Sequence, residues 1–266
     1  EYNMDKKPLV VVNGLVRKDA IAYLKEHVEV RQWTEKTVMP RETLKKWLVD
    51  ADGLWCVRPL DVDGDLVKNA PNLKVIAQAA VGYDNVNIDE LTAAGIPYGN
   101  TPGVLNETVA ELAFTLIATA SRRILENANF VKEGRWAQRP SNIKGFDLSR
   151  RTLGIIGMGA IGVSISRRAR AFGMTVVYHN RNQRIDDKIH KTTYMELDDL
   201  LATSDVVCVM APLTDETYHM CDEAFFKKMK NTSLFVNVGR GPIVDTDALI
   251  NALQTGEIDY AALDVT

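Results

Sequence analysis

Thr152-Leu-Gly-Ile-Ile-Gly-Met-Gly-Ala-Ile-Gly162 decides the fold. Its first five residues read as a short apolar strand that feeds, without a linker, into a G-x-G-x-x-G turn opening a helix. The three glycines have different tasks. Gly157 permits the tight turn, Gly159 lets the backbone come close to a pyrophosphate, and Gly162 removes the side chain that would separate helix from strand. Phosphates on such a turn sit at the helix N-terminus, where unpaired N–H groups and the helix dipole favour anions. Three glycines in six residues also describe an ordinary strand-to-helix turn, so the surroundings must decide.

Val176-Val177-Tyr178 follows as a second apolar strand, and Asn180 lies eighteen residues beyond Gly162, close to the ~20-residue offset of a ribose-reading residue. A carboxylate there would bind the ribose hydroxyls of NAD and repel a 2′-phosphate. This chain has Asn180-Arg181 instead, and a guanidinium pairs bidentately with phosphoryl oxygens. The pair predicts NADP(H) as the preferred cofactor with NAD(H) possible; the plainer reading is that Arg181, with Arg184 nearby, is a solvated loop charge.

Outward from this point, strands are predicted at Thr175–Tyr178, Val206–Met210, Ser233–Val238 and Ala261–Val265. Helices are predicted near Glu196–Thr203, Asp222–Met229 and Asp247–Gln254. That alternation is a doubly wound Rossmann domain. On the N-terminal side, strands at Leu9–Val12, Val28–Trp33, Gly53–Val57, Leu73–Gln78 and Ile96–Tyr98 alternate with amphipathic segments, which implies a second parallel sheet covered on both faces. Thr101-Pro-Gly103 reads as a hinge. After it, Asn106 is expected to cap a long helix whose Val109, Leu112, Ala113, Leu116, Ile117 and Ala120 form one buried stripe. The expected fold class is α/β, with two doubly wound parallel-sheet domains: a flavodoxin-like substrate domain over 1–103 and a Rossmann cofactor domain over 104–266. A ligand cleft is expected between the carboxyl ends of their strands.

Composition is consistent with this. At 266 residues and 46% hydrophobic content the chain can bury two ordinary cores. A net charge of −3 gives no footprint for nucleic acid or an anionic membrane, and no apolar run approaches the ~20 residues that span a bilayer. No signal peptide is visible, because Leu9 to Val12 is too short an apolar run. Three widely spaced cysteines, Cys56, Cys208 and Cys221, read as free thiols of a reducing, cytoplasmic compartment. The four histidines, His27, His179, His190 and His219, show no ligand spacing, so no metal is expected.

Three predicted strand ends carry residues suited to chemistry. In Ala80-Val81-Gly82-Tyr-Asp-Asn85, Gly82 can free backbone N–H groups to form an anion-binding nest for a substrate carboxylate; the alternative is a plain turn capped by Asp84 or Asn85. In Asn237-Val-Gly239-Arg240-Gly241, an Arg between two glycines can clamp a carboxylate and polarise the adjacent carbonyl, or else simply bind helix C-terminal carbonyls. Arg58, after the strand at Gly53–Val57, is a further candidate for charge at the substrate.

Six segments together resemble the D-isomer-specific 2-hydroxyacid dehydrogenases in order and spacing, from about Leu9 to the last residue. They are Val81-Gly-Tyr-Asp-Asn85, Asn106-Glu-Thr-Val-Ala-Glu111, Gly154-Ile-Ile-Gly-Met-Gly-Ala-Ile-Gly162, Pro212-Leu-Thr-Asp-Glu-Thr217, Asn237-Val-Gly-Arg-Gly-Pro-Ile-Val-Asp245 and Ala262-Leu-Asp-Val265. The Tyr-His-Asn-Arg run at 178–181 looks most like the NADPH-dependent glyoxylate, hydroxypyruvate and 2-ketogluconate reductases. The resemblance implies hydride transfer from the nicotinamide to the C2 carbonyl of a 2-oxo acid. It further implies that Arg240 holds the substrate carboxylate and carbonyl oxygen, with the backbone of Val81 and Gly82 on the same carboxylate. Met158, Gly159, Ala160 and Ile161 would lie under the pyrophosphate, and Asn180 and Arg181 would read the adenosine phosphate. Pro212 and Thr217 would line the adenine side; Thr108, Val238, Gly239 and Asp264 would surround the nicotinamide and its ribose. A homodimer built through the helix at Asn106 is also implied.

The family's proton donor is a His oriented by a Glu, both placed by the resemblance beyond Thr266, together with a segment completing the first domain. None of the four histidines present substitutes for that donor. The chain is therefore expected to be a fragment of the enzyme, the other reading being a polypeptide that binds cofactor without turnover. Two alternative functions stay open: an NAD-dependent phosphoglycerate or D-lactate dehydrogenase, and a non-catalytic dinucleotide-sensing module.

Overall fold

A computed structural model describes residues 7–138 and 143–266. The chain divides into two compact units, 1–104 and 105–266.

The first unit alternates strand and helix: β1 (Leu9–Val12), α1 (Lys18–His27), β2 (Glu29–Gln32), α2 (Arg41–Leu48), β3 (Gly53–Cys56), α3 (Gly64–Lys68), β4 (Val75–Gln78), α4 (Ile88–Ala93) and β5 (Tyr98–Gly99). All neighbours pair parallel in the order β2-β1-β3-β4-β5, the flavodoxin-like arrangement. Its core is aliphatic, built from Val11, Leu44, Leu48, Leu54, Leu66, Ile76 and Leu91; each such side chain contributes ~1.5–3 kcal/mol when fully buried. β5 begins two residues later than the expected Ile96. Pro97 has no N–H to give the ladder and offers only its carbonyl, to Ile76 N.

The second unit opens with α5 (Asn106–Ser121) and α6 (Ile124–Lys132), then runs β6 (Thr152–Ile156), α7 (Ala160–Ala171), β7 (Thr175–His179), α8 (Asp187–His190), β8 (Thr193–Tyr194), α9 (Leu197–Thr203), β9 (Val206–Val209), α10 (Glu223–Lys228), β10 (Leu234–Asn237), α11 (Thr246–Thr255) and β11 (Tyr260–Leu263). Its parallel sheet has the order β8-β7-β6-β9-β10-β11, which counted within the unit is the Rossmann order 3-2-1-4-5-6. The strands show why helices cover both faces. Leu153, Ile155, Val206, Cys208, Leu234 and Val236 pack into one core, while Ile156, Val207, Val209 and Phe235 pack into the other. Alternation at period two thus splits each apolar run between two buried faces.

The helix after the predicted hinge differs from expectation. Leu105 occupies the cap position of α5 and no side chain caps it; Asn106 is already the first helical residue. The buried face is Ala110, Ala113, Phe114, Ile117 and Ala120, while Leu112 remains 41% exposed. The face is set by what the helix packs against, α7 and strands β10 and β11, and small alanines admit those elements more closely than Val109 or Leu116 would. α6, which the periodicity did not reveal, starts where Arg123 takes a left-handed φ of 50° and breaks the long helix.

Among the described residues, no helix is long and apolar enough to cross a membrane, and no cluster of His, Cys, Asp and Glu could hold a metal ion. All three cysteines are unpaired and buried.

Candidate active site

In doubly wound sheets ligands bind outside the carboxyl ends of the strands, where the strand order reverses. In the second unit that point lies between β6 and β9, and the glycine-rich turn occupies it. Gly157 has φ +99°, and a Cβ there would lie 2.6 Å from Ala211 N at the end of β9. Gly162 faces inward: its Cβ would meet Gly157 O at 3.0 Å, Met158 Sδ at 3.2 Å and Ile155 Cγ2 at 3.4 Å. Gly159 is the exception, because nothing lies within 4 Å of where its Cβ would be. Two glycines therefore let protein pack against protein, and one leaves room for something else.

What that something is follows from α7. Gly159 occupies its cap position with no capping side chain, and the first turn holds no acid. Every other α-helix among the described residues carries Asp or Glu in its first turn, the usual complement to the dipole. A helix end left positive beside an open glycine fits a pyrophosphate. Gly159 and Ala160 are exposed and Ile161 half-buried, whereas the Met158 side chain is buried in the core. The residues present thus fit a dinucleotide, whose nicotinamide supplies or accepts the hydride when bound.

The end of β7 divides the predicted pair. Met158 N donates to Asn180 Oδ1 at 2.6 Å and Asn180 Nδ2 donates to Met158 O at 3.4 Å, so Asn180 braces the glycine-rich turn. Arg181 is exposed; its charge helps hold the Glu216 carboxyl below the ordinary value, after the larger effect of the Thr214 hydroxyl. Arg184, set aside in the sequence as a possible loop charge, is tied to the same turn. Its Nη1 donates to Met158 O at 3.0 Å, and its Nε and Nη2 each reach Asp186 at 2.7 Å. That guanidinium holds the Asp186 carboxyl below its usual range.

Arg240 follows β10 at the next strand end. Asn237, 1% exposed, folds the turn beneath it: Nδ2 donates to Arg240 O at 2.9 Å and Oδ1 accepts from Gly239 N at 3.0 Å. The flanking glycines are required by protein backbone. A Cβ on Gly239 would lie 2.9 Å from Ala211 O, and one on Gly241 would lie 2.3 Å from Thr266 C and O. Arg240 Nη1 donates to Gly239 O at 2.9 Å. The Val238 side chain is in the core. Asp264 is exposed, its N–H bound to Asn237 O, and Thr108 is exposed on the first turn of α5. In the loop after β9, Thr217 Oγ1 donates to Pro212 O at 2.7 Å and accepts from Thr214 N at 2.8 Å. The Thr217 hydroxyl thus shapes its own turn, while Pro212 stays exposed.

In the first unit the order reverses between β1 and β3. Asn13, at the end of β1, accepts from Val57 N at 2.7 Å and Arg58 N at 3.2 Å and donates to Arg58 O at 3.2 Å. Arg58 is exposed, and its stem crosses Gly14 so closely that a Cβ there would be 2.6 Å from Arg58 Cγ. The loop of Val81 and Gly82 follows β4. Gly82 is absent from the residues with left-handed φ, so the nest expected from glycine's freedom is not how this loop exposes its N–H groups.

None of the four histidines holds a free strand-end position. His179 Nδ1 bonds Met195 O, His190 bonds Asp186, His27 packs on Tyr23 and His219 stacks on Tyr218.

Comparison with known proteins agrees with this geometry. A family model described as D-isomer specific 2-hydroxyacid dehydrogenase, NAD binding domain, matches residues 114–266. A glyoxylate reductase of Thermococcus gammatolerans is 41% identical over 265 residues, 97% of this chain and 79% of that protein. Among solved structures, an NADPH-dependent glyoxylate/hydroxypyruvate reductase from Sinorhizobium meliloti, in complex with NADP and malonate, is similar at TM-score 0.86 and 30% identity, covering 98% of this chain and 80% of that one. A D-lactate dehydrogenase from Aquifex aeolicus, complexed with NAD and lactic acid, is similar at TM-score 0.85 and 31% identity, covering 97% and 76%. The chain belongs to the D-isomer specific 2-hydroxyacid dehydrogenase family and is an NAD(P)-dependent oxidoreductase.

Proposed function

We propose that the chain reduces a small 2-oxo acid, of the glyoxylate, hydroxypyruvate or 2-ketogluconate class, to the D-2-hydroxy acid, with NADPH preferred over NADH. The observation that carries the reaction class is Arg240, a cationic residue whose backbone carbonyl Asn237 fixes just past a strand end. A guanidinium there binds a carboxylate through two parallel N–H groups and polarises the neighbouring carbonyl toward hydride attack. Arg58 and the loop at Val81 and Gly82 are the first unit's candidates for the substrate. Glyoxylate reductases among the relatives support the same class.

The cofactor preference rests on the end of β7, which offers no carboxylate to a ribose and exposes Arg181. Relatives with NADP and with NAD both exist, so the preference belongs to these side chains rather than to the fold. Dissociation constants for NADPH and NADH, read from nicotinamide fluorescence, test it. In the Asn180→Asp, Arg181→Ser double variant NADPH affinity is expected to fall at least ~10-fold relative to NADH, the scale of one charged hydrogen bond. An unchanged ratio would remove this strand end from cofactor choice. A homodimer, through the helix beginning at Asn106, belongs to the same proposal, and a molar mass of one chain in light scattering would refute it.

A further inference from the structure

The loop after β4 carries three consecutive carbonyls that are each held by a donor of the same unit. Thr101 N donates to Ala80 O at 3.0 Å. Asn100 Nδ2 donates to Val81 O at 2.8 Å, and Gln78 Nε2 donates to Gly82 O at 2.8 Å. In a trans peptide the C=O of one residue and the N–H of the next lie in one plane and point opposite ways. Fixing these three oxygens therefore fixes the N–H groups of Val81, Gly82 and Tyr83 on the other side of the chain. Among the described residues no hydrogen bond engages any of those three N–H groups. With φ of Gly82 outside the left-handed region, the aim of the loop comes from these donors and not from a special glycine conformation.

Gln78 is the informative member. It ends a strand of a buried sheet and is only 8% exposed, a position where an apolar residue would be expected and where an unsatisfied amide would be costly. Its amide is satisfied by the loop itself: besides Gly82 O it donates to Asn85 Oδ1 at 3.2 Å and accepts from Asn85 Nδ2 at 3.3 Å. Asn85 is anchored in turn to Leu60 O. A neutral amide suits the task because it pulls a carbonyl inward without placing a negative charge behind the N–H groups that must face an anion.

We propose that Gln78 and Asn100 are positioning residues for substrate, presenting the N–H groups of Val81, Gly82 and Tyr83 as a rigid carboxylate cradle. This rests on the 2-oxo acid reading above. The test is made on the complete enzyme with Gln78→Glu and Asn100→Asp, which keep size but abolish the donor, measuring kcat and KM for glyoxylate, Kd for NADPH and the melting temperature. Each variant is expected to raise KM for glyoxylate roughly 10- to 100-fold, the effect of misaligning one charge-assisted hydrogen bond. NADPH affinity and kcat at saturating glyoxylate are expected to stay near wild type; Gln78→Glu is expected to lower the melting temperature, because it buries a carboxylate against the Gly82 carbonyl, whereas the half-buried Asn100→Asp changes it little. Asn100→Asp, at a half-buried site, keeps the test open if Gln78→Glu fails to fold. Unchanged KM in a folded variant would overturn the proposal. So would a fall in melting temperature and kcat with KM constant, the signature of a merely structural amide. Wild-type enzyme with no saturable dependence on glyoxylate, hydroxypyruvate or 2-ketogluconate would instead overturn the 2-oxo acid reading and this proposal with it.

Discussion

At the scale of single residues, Gly157 and Gly159 look alike in the sequence and differ in the structure. Gly157 is held at φ +99° with Ala211 backbone 2.6 Å from its absent Cβ, whereas Gly159 has open space there. The two alanine variants should therefore separate folding from binding. Gly157→Ala is expected to lower stability by about 1–3 kcal/mol through backbone strain alone, visible as a shifted denaturation midpoint. Gly159→Ala should denature as wild type and lose NADPH affinity, because its methyl occupies the space the pyrophosphate needs; equal binding by this variant would show the opening is not the phosphate seat. Motif and spacing mark these glycines and Arg240 as candidates. They could not show that Asn180 braces Met158, or that Arg184 reaches the same turn, because an amide or guanidinium choosing among backbone partners is a tertiary event.

At the scale of elements, one device recurs. A primary amide at or just beyond a strand end clamps a neighbouring loop: Asn13 holds Val57 and Arg58, Gln78 holds Gly82, Asn180 holds Met158 and Asn237 holds Gly239 and Arg240. Each of these loops carries a candidate ligand contact. The strands other than β8 were legible, since apolar runs bounded by Gly, Pro and Asn fix position within a residue or two; β8, two residues at the sheet edge with no apolar run, was not. The buried face of α5 was not, because the apolar spacing admits more than one stripe and packing against α7, β10 and β11 selects among them. α7 can be probed through its bare first turn. With no acid in its first turn, Ala160→Glu adds the charge that the dipole favours and should hold or raise stability by ~0.3–1 kcal/mol. The same charge should weaken NADPH binding at least ~10-fold through repulsion of the phosphates. A stabilised variant with unaltered affinity would place the phosphates elsewhere.

At the scale of the whole molecule, two parallel sheets have separate cores and the thiols lie within them. Burial pushes Cys56 and Cys208 up to about 12 and raises Cys221 as well. A group whose folded pKa is raised keeps its stabilising contribution below the unfolded value, near 9, and loses it as pH climbs toward the folded one. Denaturant midpoints should accordingly be insensitive to these thiols at neutral pH and fall from about pH 9 upward. Native protein at pH 8 should resist a thiol reagent that labels Cys56, Cys208 and Cys221 once guanidinium unfolds it. Rapid labelling of folded protein would place a cysteine at the surface.

The 2-oxo acid reductase reading stands or falls on oxidation of NADPH and, in parallel, NADH, followed at 340 nm with glyoxylate, hydroxypyruvate and 2-ketogluconate, on protein expressed from the complete gene. Turnover is expected to be faster with NADPH and to fall at least ~100-fold when Arg240→Ala removes the donor at the substrate carbonyl. Turnover with NADH alone would contradict the cofactor assignment, and bound NADPH that none of these acids oxidises would contradict the reductase.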